Sequence, residues 1–103
     1  KIDNTNIAGE YNKYLSIHEM IEKENLDLVS ICTPSGNHPE HAIICAKKNI
    51  NIITEKPMAT DLNQAKNMIK SCNENDVKLF VVKQNRYNKT LVKLKKSIEE
   101  KKY

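Results

Sequence analysis

The sequence predicts half of a doubly wound α/β fold: three parallel strands joined by crossover helices. Three observations predict it. Short β-branched runs alternate along the chain with longer amphipathic ones. The short runs are almost continuously apolar, as strands of parallel sheets are. The residues with chemical potential gather where each short run ends, and ligands of open α/β sheets bind beyond the carboxyl ends of their strands.

Taken in order, Ser16-Ile17-His18-Glu19 has the S-x-x-E form of a capping box, and Ile17, Met20 and Ile21 then recur at helical spacing as far as Asn25. The run Leu28–Cys32 is too short for a helix and ends in the turn cluster Thr33-Pro34-Ser35-Gly36, so it reads as a buried strand. Pro39 suits the first turn of a helix, where its missing N–H costs nothing, and Ala42, Ile43, Cys45 and Ala46 continue that helix. Ile50–Thr54 supplies a second strand. Asp61-x-x-Gln64 opens a longer helix with Leu62, Ala65, Met68, Ile69 and Cys72 on one face, broken by residues 73–76. Val77–Val82 is the third strand, and Leu91, Leu94 and Ile98 mark a last amphipathic helix.

With 103 residues, the chain has room for one domain or a piece of one, and 39% hydrophobic with 29% charged residues excludes wholesale disorder. No apolar run approaches the ~20 residues that span a bilayer. Lys1, Ile2, Asp3 and Asn4 carry no signal-peptide core, so the expected location is the cytoplasm, away from membranes. Cys32, Cys45 and Cys72 are too widely spaced for a CxxC site and odd in number, which points to buried reduced thiols. The net charge of +4 is concentrated after residue 88, where six lysines face two glutamates. A single arginine and a lysine-rich terminal helix describe a solvated face better than a nucleic-acid surface.

Three loops follow the strands. Glu55-Lys56-Pro57 projects a carboxylate and an amine from the end of the second strand, and Pro57 restricts the backbone of Lys56. A lysine beside an alcohol can exchange a proton with it, although an isolated Glu-Lys is also what a surface ion pair looks like. Thr33–Pro39 joins a strand to a helix N-terminus, where free N–H groups favour anions and polar cofactor groups; Asn37 or His38 capping the helix explains it as simply. His38 and His41 have metal-ligand spacing but lack a third ligand, so no metal is expected. In Gln84-Asn85-Arg86-Tyr87-Asn88, Arg86 can grip a carboxylate or phosphate and Asn85 can orient hydroxyls. A surface salt bridge and a helix cap are the alternatives there.

In combination, Val29–Pro34 with His38, Thr54–Thr60 around Glu55-Lys56-Pro57, and Val82–Asn88 resemble the Gfo/Idh/MocA family of NAD(P)-dependent sugar oxidoreductases, over about residues 26–100. Within it they are most similar to the UDP-N-acetyl-2-amino-2-deoxyglucuronate dehydrogenases of surface-polysaccharide (lipopolysaccharide) pathways, which oxidise the sugar C3 hydroxyl. The resemblance implies the second half of a Rossmann-like NAD(P)-binding domain across residues 1–103, without the Gly-rich first half or the C-terminal substrate domain. Gly9 and Gly36 are the only glycines, and no G-x-G-x-x-G occurs. It implies NAD as cofactor, with NADP left open, a UDP-sugar substrate and a homo-oligomer. It assigns Lys56 as the catalytic residue, also touching cofactor and substrate. Thr33, Pro34, Ser35, His38, Glu55 and Gln84 would line the dinucleotide, and Asn85 and Arg86 would face the substrate. The other readings are another sugar or polyol dehydrogenase of the family, and a non-catalytic α/β module binding a nucleotide or a protein.

Overall fold

A computed structural model describes residues 11–102; the leading residues, Gly9 and Tyr103 lie outside the described residues. The first helix, α1 (Ile17–Lys23), begins at the predicted cap, where Ser16 Oγ accepts the N–H of Glu19 at 3.1 Å. β1 (Leu28–Ile31) follows, then a short 3₁₀ turn (Ser35–Asn37) that runs directly into α2 (His38–Ala46). β2 (Asn51–Thr54), α3 (Leu62–Glu74), β3 (Leu79–Val81) and α4 (Lys89–Glu99) complete the chain. Each strand is a residue or more shorter than the apolar run that predicted it. The flanking Ile50 and Val77 are nevertheless buried.

The strands are parallel in the order β1-β2-β3. Right-handed crossovers that advance steadily across a sheet place their helices on one face, and here α2 packs against α3, β1 and β2. Between them lies the core: Val29, Ile31, Ala42, Cys45, Ala46, Ile50, Ile52, Met68, Cys72 and Val77. Ile52, at the centre of the middle strand, is fully buried, and burial of such a side chain contributes about 1.5–3 kcal/mol.

The opposite face corrects the expectation of strands buried on both sides. β1 alternates exposed and buried, and Leu28 and Phe80 stand 48% and 53% exposed. In α3, Met68 and Cys72 are buried but Leu62 and Ile69 are not, because α2 covers a narrower stripe than the apolar spacing offers. α4 buries no residue. Its expected stripe, Leu91, Leu94 and Ile98, is exposed, while its charged side holds the pairs Lys95–Glu99 and Lys96–Glu100. Of the three thiols expected to be buried, Cys45 and Cys72 are; Cys32, one residue beyond β1, continues the alternation onto the outward face with Ser30 and is exposed. No helix among the described residues is long and apolar enough to cross a membrane.

Candidate active site

The register fixes where the three loops begin. Ile31 is paired with Thr54, and Thr54 with Val81, so the strands end level with one another. The ladder continues one step into the loops: Glu55 N–H donates to Ile31 O at 3.0 Å and Val82 N–H to Thr54 O at 2.9 Å. All three polar segments therefore leave the same rim of the sheet.

Lys56 is exposed and lines an open groove of about 580 Å³ together with Val82, Gln84, Asn85, Arg86 and Leu91. An amine from the second loop thus meets the amide and guanidinium groups of the third. Glu55 is partly buried, and its carboxylate accepts the Lys56 N–H at 3.2 Å. Among the described ion pairs it does not pair with the Lys56 amine. The Lys56–Pro57 bond is cis. The loop returns to the core at Met58, which packs against it, before Asp61 caps α3 by accepting from the N–H groups of Asn63 and Gln64 at 2.8 and 3.0 Å.

The first loop is arranged differently. Thr33 and Pro34 are exposed and Ser35 half-buried. Thr33 Oγ1 lies 3.1 Å from His41 Nδ1, so this hydroxyl faces the hollow of about 600 Å³ beside β1, which Val29, Ile31, His41 and Ile44 also line. His38 is 1% exposed, with Nδ1 2.9 Å from Pro57 O and Nε2 2.7 Å from Thr33 O. It lies beneath the loop surface, tying the first loop to the second. The sequence held a signal for this. His38, Ala42 and Cys45 stand at i, i+4 and i+7, on the buried stripe of α2. Among the described residues no group of three or more His, Cys, Asp or Glu is placed to hold a metal ion.

The groups at this rim suit the nicotinamide–ribose half of a dinucleotide. Glu55 can accept from ribose hydroxyls, Gln84 can pair with a carboxamide, and the first turn of α2 offers backbone N–H groups. At Gly36 an added Cβ would meet no protein atom within 4 Å.

Solved dehydrogenase structures share this fold. The WlbA dehydrogenase from Bordetella pertussis, in complex with NADH and UDP-GlcNAcA, is 47% identical with a TM-score of 0.80 over 82% of this chain and 26% of its own. The WlbA dehydrogenase from Chromobacterium violaceum, with the same ligands, is 41% identical with a TM-score of 0.82 over 85% of this chain and 26% of its own. Among curated proteins, the myo-inositol 2-dehydrogenase of Thermotoga maritima is 34% identical over 88% of this chain and 27% of its length. The chain therefore spans about a quarter of the length of such relatives. Residues 3–83 match the family model of the Gfo/Idh/MocA oxidoreductases, described as an oxidoreductase family with an NAD-binding Rossmann fold, and the chain belongs to that family.

Proposed function

We propose that the chain is the second half of the NAD-binding domain of a dehydrogenase that oxidises the C3 hydroxyl of a UDP-N-acetylglucosaminuronate-type sugar. The observation that carries this reading is the meeting of Lys56 with Gln84, Asn85 and Arg86 in one groove at the strand ends. Support for the substrate class comes from the 47% and 41% identity to dehydrogenases solved with NADH and UDP-GlcNAcA.

The bound dinucleotide supplies the hydride acceptor. Lys56 takes the proton of the sugar hydroxyl as the C–H hydride leaves, and returns it in the reverse direction. Asn85 and Arg86 hold the nucleotide sugar, the guanidinium by two-pronged contact with its carboxylate or diphosphate. Thr33, Pro34, Ser35, Glu55 and Gln84 face the dinucleotide, with His38 holding their loops from below. A soluble cofactor and a nucleotide-linked substrate place the enzyme in the cytoplasm, at an early step of lipopolysaccharide or other surface-polysaccharide synthesis.

The test is a spectrophotometric assay of the protein with NAD and UDP-GlcNAcA. NADH formation that requires Lys56 is the expected result. A second reading, oxidation of a ring polyol, is favoured by the 34% identity to a myo-inositol 2-dehydrogenase. Turnover of myo-inositol with none of the UDP-sugar would replace the first reading by the second.

A further inference from the structure

We propose that His38 is a positioning residue that sets the reach of Lys56 by strapping the loop after β2 to the loop after β1. The proposal deepens the dehydrogenase reading and rests on it, since it is the catalytic role of Lys56 that makes its position matter.

The strap is built from buried parts. His38 opens α2 and is 1% exposed, and the residues around its root, Pro39 and Ala42, are buried as well. Its two ring nitrogens face two carbonyl oxygens, which only accept, so each contact is a hydrogen bond when the nitrogen facing it carries the proton. These are Pro57 O at 2.9 Å and Thr33 O at 2.7 Å. Every buried side-chain polar atom among the described residues has a hydrogen-bond partner.

Consider what holds Lys56. Its own side chain is exposed and contributes no anchorage. Upstream, the backbone is pinned by Glu55 N–H on Ile31 O at 3.0 Å. Downstream, Pro57 O is pinned by His38, and Met58 then enters the core. Lys56 thus lies between two fixed points; upstream its own N–H is also held by the Glu55 carboxylate at 3.2 Å, and downstream the contact is made by the His38 ring. Release of that point leaves the upstream ladder bond intact but frees the direction in which the amine leaves the backbone. A displacement of about 1 Å at a reacting group costs on the order of 100-fold in rate. The other end of the strap, Thr33 O, belongs to the loop that faces the dinucleotide. The two ends should therefore affect different kinetic constants.

Two substitutions separate the ends. In His38→Asn the side-chain amide nitrogen falls near the place of Nδ1 and keeps the contact with Pro57. In His38→Gln it falls near the place of Nε2 and keeps the contact with Thr33. Steady-state kinetics and amide hydrogen exchange on the full protein then give two independent readouts. The strap predicts that His38→Gln lowers kcat by about 100-fold while KM for NAD stays within about threefold, with faster exchange confined to residues 56–60. It predicts that His38→Asn retains kcat, raises KM for NAD and speeds exchange at residues 34–37. Equal losses in both variants, with exchange raised throughout the sheet, would mean a merely structural histidine and overturn the proposal. Separate exchange patterns in a protein whose wild type oxidises no sugar would uphold the strap and overturn the dehydrogenase reading instead.

Discussion

The N–H of Glu55 donates to the carbonyl oxygen of Ile31 at 3.0 Å, so the first residue beyond β2 is bonded to the last residue of β1. Through this single contact the sheet ladder runs one step into the loop, immediately before Lys56.

Replacing Lys56 by Ala is expected to reduce kcat by roughly 10²–10⁴, the usual worth of a positioned proton donor or acceptor. Because Lys56 is exposed and makes no ion pair among the described residues, the melting temperature should hardly move. Arg at this position should not restore turnover, since a guanidinium does not give up its proton. Steady-state rates beside a thermal melt check both halves, and full activity in the alanine variant would remove the residue from the mechanism.

The α3 cap offers a stability test independent of function. Asp61 accepts from two N–H groups of the first turn, and Asp61→Ala should cost about 1 kcal/mol. Urea unfolding with an unchanged m-value is the measurement.

Alkaline pH should destabilise the core through Cys45. Burial pushes its thiol up to about 11 from an ordinary value of 9.0, with Cys72 nearby adding to the rise. The folded state keeps this proton where the unfolded state has lost it. Stability from the thiol is therefore complete below pH 9 and falls as pH rises from about 9 to 11, by up to about 1.4 kcal/mol per unit. Cys45→Ala should be less stable at neutral pH, yet show a shallower decline across that interval in denaturant titrations at stepped pH.

Among the described residues β1 pairs only with β2, and Leu28 at its start is 48% exposed. A strand edge of this kind pairs readily with another chain. The 103-residue chain alone should therefore self-associate in sedimentation equilibrium, and Leu28→Lys should shift it towards monomer. A strictly monomeric wild-type chain at high concentration would contradict this.

Much of the architecture was legible because it depends on local pattern. The S-x-x-E cap at Ser16, the β-branched run ending at Thr54 and the Asp61 start of α3 are each written in a few consecutive residues, and each appears where those residues place it. The parallel order of the strands follows from the helices between them. The family, too, was readable from three short motifs.

What the sequence could not decide is which apolar residues find a partner. Ile69 and Leu91 look like Met68 in hydropathy, but Met68 faces α2 and the other two face outward, because burial depends on which helix lies opposite and not on the residue alone. His38 is the sharpest case. Its spacing with Ala42 and Cys45 puts it on the buried stripe of α2, but only the fold shows that its two partners, Thr33 O and Pro57 O, come from separate loops. Local sequence dictates backbone preference and periodicity. Only the level ending of three strands, a property of the whole sheet, brings Lys56 to Gln84 and His38 to Pro57.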